Sequence, residues 1–217
     1  GLTKTGTGTW QLGAANTYTG LTTILSGVLR YASNNVLSNG AVTINGGTFD
    51  IATFTDAVGV ITLINGNISG TTGVLTGTSD AMQNGTVFAK LAGSGTLTKT
   101  TGGTVAMSGV NTYTGRTTIR AGVLSVATIG DGGVAGNLGA ASNAAANLVF
   151  DGGTLQYTGA TASTNRSYTI NAAKTSTIDV TTNNLTISGA STNTTGALTK
   201  IGSGTLILSG NNLHTGA

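Results

Sequence analysis

Six aspartates and one histidine, with no glutamate and no cysteine, are the whole acid, base and thiol inventory of the chain. A carbohydrate-cleaving site would need two or three carboxylates converging on one face, with a nearby cation. Asp50, Asp56, Asp80, Asp131, Asp151 and Asp179 are dispersed along the sequence, and Asp131 and Asp151 each precede Gly-Gly, where Asp is a turn residue first. His214 occupies the place of Tyr18 and Tyr113 in a repeated Asn-x-(Tyr/His)-Thr-Gly string. That is a packing or turn position rather than the base of a Ser-His-Asp triad. Lys4, Lys99 and Lys200 are also equivalent to one another. They form either a row of charges for acidic glycans or solvated strand ends that discourage lateral sheet pairing, and the second is the expectation. Trp10, Tyr18, Tyr31, Tyr113, Tyr157 and Tyr168 could stack on sugars, but Tyr18 and Tyr113 share one repeat position, which argues for a structural role. Gly6-Thr7-Gly8 and Gly93-Ser94-Gly95 lack the Lys-Ser/Thr of a phosphate loop, and Asp131-Gly132-Gly133 has the wrong order for a calcium nonapeptide. The sequence therefore assigns no catalytic residue, no cofactor or cofactor-binding residue and no metal ligand.

The elements that would position these groups are strands. The chain is 7% charged and 38% hydrophobic, has 36 glycines and no proline, and holds more Thr than Gly. Disorder requires more charge and less apolar content. Helices require residues other than Gly, Thr and Asn. Thr, Val, Ile and Tyr favour strands, and Gly, Asn and Asp favour turns. A net charge of +3, with Lys4, Lys90, Lys99, Arg116 and Lys174 scattered, does not make a nucleic-acid face. No apolar run approaches the roughly 18 residues of a spanning helix.

Self-similarity is the main signal. LTKTGTGTWQLGAANTYTGLTTILSGVLRYAS from Leu2 returns as LTKTTGGTVAMSGVNTYTGRTTIRAGVLSVAT from Leu97, and LTKIGSGTLILSGNNLHTGA from Leu198 is the same unit cut short. A weaker echo links the strings beginning at Ile44 and Phe150. In the second copy Thr104–Met107, Thr117–Ile119 and Val123–Val126 read as strands, separated by Gly- and Asn-rich turns; 42–44, 61–64, 148–150, 178–180 and 185–187 read alike. Strands of three to five residues copied in long blocks predict an all-β solenoid, in which each strand stacks on its counterpart one coil away. A coil of about 20 to 25 residues is the expectation. Ile119, Leu124 and Val126 should point inward, Thr should form outward ladders, and Asn16 and Asn111 should occupy one corner.

The string G-x-G-T-(L/W)-x-L-x-G-x-N-T-Y-T-G-x-T-T-I-x-x-G-x-L resembles the autotransporter-associated β-strand repeat, or passenger-associated transport repeat, of type V secreted passengers. Gly6–Trp10, Leu12, Asn16–Gly20, Thr22–Ile24, Gly27 and Leu29 carry it in the first copy. Gly103-Thr104, Ser108-Gly109, Asn111–Gly115, Thr117–Ile119, Gly122 and Leu124 carry it in the second; Gly202–Leu206, Leu208–Gly210, Asn212 and Thr215-Gly216 carry it in the third, which departs at Leu213 and His214. The resemblance implies a right-handed parallel β-helix, extracellular or on the outer membrane of a Gram-negative bacterium, and no particular activity.

The functional expectation is a structural or adhesive stalk or fibre segment, not an enzyme. Residues 1–217 are expected to form one β-helical segment of a longer chain, with its outer-membrane anchor elsewhere. Expected partners are further repeats of the same chain, by stacking or head-to-tail self-association, and surface glycans or other cells. Neither end reads as a polar cap: Gly1 leads straight into a repeat, and Ala217 aligns with Arg116 just before a strand. The alternatives are a carbohydrate-binding solenoid, an ice-binding Thr face hinted at by Thr3, Thr5, Thr7 and Thr9, and a polysaccharide-degrading enzyme.

Overall fold

The computed structural model of the chain describes residues 1–216 and is a parallel β-solenoid of about 10 turns. The alignment of Ala217 with Arg116 falls outside the described residues. Every strand pairing is parallel, and most strands pair with the second strand along the chain. Each coil thus adds backbone hydrogen bonds along the axis, which is what short Gly-punctuated strands without proline permit. The only helical turn among the described residues is Ala145–Asn147.

The repeats build columns. Lys4, Ile24, Ile44, Leu63, Met82, Lys99, Ile119, Phe150 and Ile170 stack one above another as inward positions. Thr104–Met107, Thr117–Ile119 and Val123–Val126 are strands as read, and Ile119, Leu124 and Val126 are in the core. Outward, Thr3, Thr23, Thr43 and Thr62 form a ladder that continues through Ala81, Thr98, Thr118, Val149 and Thr169.

Three expectations are corrected. The coil is tighter than expected in places: Leu2 pairs with Thr22, at the lower edge of the expected length, and Asp80 pairs with Leu97, below it. Strands are also not uniformly short. Val42–Asp50 and Ile61–Ser69 are continuous strands of nine residues, because the Asn-Gly signals at Asn45 and Asn65 bulge instead of turning. Gly46 and Gly66, both at φ +116, absorb the irregularity. The third correction concerns the lysines. Lys4 and Lys99 are inward and wholly buried, not solvated strand ends.

Candidate functional site

A lysine ammonium inside an apolar column needs acceptors. Lys4 Nζ donates to the carbonyls of Thr5 (2.8 Å) and Gly6 (2.7 Å) in its own corner, and to Ser26 O (3.1 Å) one coil on. Lys99 Nζ repeats this with Thr101 O and, one coil on, with Ala121 O at 3.1 Å. Burial pulls the Lys99 pKa below its usual value. Room for the ammonium comes from a glycine in the next coil. A Cβ on Gly27, at φ +65, would stand 2.6 Å from Lys4 Nζ and 2.4 Å from the Gly6 and Gly8 carbonyl oxygens. Gly122, at φ +64, holds the same place against the Thr101 and Gly103 carbonyls. The Lys and Gly of the repeat are two halves of one contact between stacked coils. Lys200 bonds the local carbonyls of Ile201 (2.9 Å) and Gly202 (2.6 Å), and the residue is exposed.

The Asn-x-Tyr string is structural in the same sense. Asn16 Nδ2 donates to Val36 O of the coil above at 2.8 Å, whereas Asn111 Nδ2 donates at 3.0 Å to Asn137 O, in the long segment between Val126 and Leu148. Tyr18 OH and Tyr113 OH lie 3.0 and 2.9 Å from the Oγ1 of Thr22 and Thr117, four residues on. His214, in the equivalent place, lies with Nδ1 3.1 Å from Ser191 Oγ. Tyr31, Tyr113, Tyr157 and Tyr168 are buried, so the six aromatics do not make a sugar-stacking platform. Trp10 is the outlier, 44% exposed in the first coil, with Lys4 Nζ 5.6 Å from its ring centroid.

The aspartates are brought to different places. Asp50 pairs with Arg30 at 3.3 Å, and Asp151 lies 3.6 Å from Arg120. Asp56 is buried and accepts from Leu37 N at 2.9 Å; Asp131 accepts from Asn165 N, and Asp179 from Gln156 Nε2. Asp80 stands in an inward column between Ile61 and Leu97, its Oδ1 buried without a partner. Desolvation pushes its pKa up to about 7. Among the described residues no three His, Asp, Glu or Cys side chains come together as metal ligands would.

Sequence reasoning missed Arg166. In the first copy Leu29 pairs with Phe49, whereas in the second the equivalent Leu124 pairs with Leu155, a much longer step along the chain. The extra chain, around residues 127–147, folds over the rod's flank. Arg166, 3% exposed, holds it by donating to Gly139 O (2.7 Å), Gly130 O (2.9 Å), Asp131 O (3.3 Å), and Ala141 O and Val134 O (both 3.4 Å). Asn137 adds bonds to Ala127 N, Thr128 N and Gly109 O. The only signal for this in the sequence is the length difference between copies. Beside the insertion lies an open groove of about 260 Å³, floored by Thr118, Val149 and Thr169. Arg116, Arg120, Asp151, Asn171 and Ala146 surround it.

Comparison with known proteins gives two matches. The Passenger-associated-transport-repeat matches residues 2–30, 97–126 and 198–217. The Adhesin BmaC autotransporter of Brucella suis biovar 1 (strain 1330) is 42% identical over 240 residues, an alignment that covers 100% of this chain and 7% of that protein. The chain therefore spans about 7% of the length of the curated relative it matches. No solved structure matches the chain.

Proposed function

Because the chain belongs to the passenger-associated-transport-repeat family, we propose that it is a non-enzymatic segment of a secreted, surface-exposed adhesive passenger, a stalk that holds contact surface away from the outer membrane of a Gram-negative bacterium. The observation that carries this reading is the unbroken parallel stack. About 10 turns, at roughly 4.8 Å per turn, make a rod on the order of 50 Å long. Its repeat-defining Lys, Gly, Asn and Tyr residues serve contacts within and between coils. Such a rod lengthens by adding coils without disturbing those already formed. The relative's description as an adhesin autotransporter supports the same role. The ice-binding alternative would need two outward Thr columns side by side. Leu2–Lys4 is a three-residue strand with a single outward Thr, and Thr9 lies in a different strand.

The test is adhesion. A non-adherent bacterium displaying the passenger that contains these residues should attach to host cells or abiotic surfaces, and deleting whole coils from this segment should weaken attachment. Unchanged attachment after deletion, or release of sugars from acidic polysaccharides by the purified chain, would overturn the reading.

The same reading includes stacking of the end coils on further coils, from this chain or from a second copy. Its support is that Lys4 and Lys99 each use a carbonyl from the next coil, so contact between successive coils is built into the repeat. Sedimentation velocity should detect end-to-end oligomers of the chain; a monomer at all concentrations would refute self-stacking.

A further inference from the structure

The two long repeat copies allow fold-bearing residues to be separated from the rest. Around the strand Thr117–Ile119, the inward and corner positions agree: Thr22 with Thr117, Ile24 with Ile119, Gly27 with Gly122. The exposed flanking positions do not. Leu21 and Leu25, 48% and 41% exposed, correspond to Arg116 and Arg120. The same strand forms with leucine at both sites, so coil stacking does not require the guanidinium groups. The second copy also carries an insertion that the first lacks, held by Arg166. Both departures meet at one place, the groove of about 260 Å³, to which the insertion contributes Ala146.

The groove's chemistry is consistent along its length. Its floor is the outward side of three stacked strands, the small side chains Thr118, Val149 and Thr169. Arg116 stands before the strand and Arg120 after it, so the cations flank the floor at opposite ends. Asp151 does not cancel them. Its Oδ1 accepts from Asn171 Nδ2 at 2.9 Å, and its Oδ2 faces Arg120 Nε at 3.6 Å. Two arginines and one aspartate leave a formal charge of +1, and the Arg120 side chain is still 61% exposed. Arg116 has no ion-pair partner among the described residues. A larger depression of about 510 Å³ elsewhere on the rod is lined by small residues such as Ala57, Thr76 and Ser94, with no charged side chain.

The geometry points to a subsite for an acidic saccharide: one carboxylate- or sulfate-bearing sugar unit of an extended surface glycan, its ring lying on the Thr-Val-Thr floor, its anionic group held at one end by the unpaired Arg116, and the exposed part of the Arg120 guanidinium facing the opposite edge of the ring. Guanidinium is the side chain that pairs bidentately with planar and tetrahedral oxyanions. The mixed methyl and hydroxyl floor suits a sugar's C–H face and hydroxyls. At about 260 Å³ the groove is smaller than the roughly 300–1,000 Å³ of sites that enclose a whole small molecule, which fits a single unit of a chain passing over it. Arg166 keeps the insertion in place before ligand arrives, so little ordering is left for binding. The proposal rests on the adhesive reading and names the chemistry of one contact within it.

The experiment measures binding of the whole chain to three oligosaccharides by calorimetry: a sulfated heparin-type, a carboxylated hyaluronan-type and neutral dextran. At least one acidic oligosaccharide should bind, more weakly at higher salt, and dextran should not. Arg116→Leu/Arg120→Leu, which installs the first copy's residues, should fold normally and lose roughly tenfold or more in affinity. Arg30→Gln/Lys90→Gln removes as much charge elsewhere and should change affinity by less than about twofold. No binding of either acidic oligosaccharide, or equal losses in the two double variants, would overturn the groove assignment. Cell attachment by the passenger carrying Arg116→Leu/Arg120→Leu separates this from the broader reading: attachment without groove binding leaves an adhesin whose contact lies elsewhere.

Discussion

Replacing Asp80 by asparagine or valine should raise the stability of the central coils at neutral pH and flatten its pH dependence between about 4 and 7. Asp80 fills a position occupied by Ile61 below and Leu97 above; its Oδ1 has no hydrogen-bond partner, and a negative charge there would also raise the pKa of the buried Tyr113 hydroxyl. Burial raises its pKa from the ordinary 3.8 to about 7. Below the unfolded value both states are protonated and there is no penalty. As pH rises from there, the unfolded chain releases a proton that the folded chain keeps, so stability falls until the folded carboxyl also ionises near 7. A shift of about three pH units at about 1.36 kcal/mol each makes the loss on the order of 4 kcal/mol. In a solenoid this penalty acts mainly on neighbouring coils, so it should be read locally. Amide exchange in Ile61–Ser69 and Thr96–Lys99 should quicken with pH, beyond the intrinsic rate, in the native chain and not in Asp80→Asn. Urea midpoints at pH 5 and pH 8 give the global counterpart. An unchanged pH slope in both variants would refute the assignment of the penalty to Asp80.

Changing Lys99 to Met, the residue of Met82 beneath it, should destabilise by about 1–3 kcal/mol despite the better hydrophobic match, because the Thr101 and Ala121 carbonyls lose their donor; urea denaturation measures it. Leu124→Ala should cost about 2–5 kcal/mol in the same assay, since Leu124 is fully buried between Val105 and Leu155. Arg166→Met should leave the rod's far-UV spectrum intact while residues 127–147 lose exchange protection and become sensitive to protease, because five carbonyls in that segment lose one shared donor.

The rod was legible in the sequence because its grammar is local and repeated. Thr104–Met107 and Val123–Val126 alternate with period two between glycine-marked corners, and the same corners recur in Asn16 and Asn111. What was not legible depends on the coil above. Lys4 and Lys99 read as charged strand ends because acceptors such as Ser26 O and Ala121 O lie on the next turn, where no pattern within one strand can see them. Asn45-Gly46 and Asn65-Gly66 read as turns for a similar reason: alone they favour reversal, but the neighbouring strands' ladder holds both segments extended and leaves only a bulge. Arg166 carried no motif at all, since its partners, from Gly130 to Ala141, lie far upstream in a segment that has no counterpart in the first copy.

These features separate the surface of the rod from its interior. Stacking is secured by inward columns and by contacts such as Lys99 to the Ala121 carbonyl, which demand fixed residue types at fixed spacing. The outward and flanking positions carry no such demand, as Leu21 and Arg116 at equivalent places attest. The insertion between Val126 and Leu148 is tolerated because it leaves the registers of Leu124 with Leu155 and Thr117 with Leu148 in place. The entropic cost of closing such a loop grows only slowly with its length. Surface chemistry can therefore change coil by coil while the rod remains the same, and under the adhesive reading proposed above the contact sites are to be sought where sister repeats disagree.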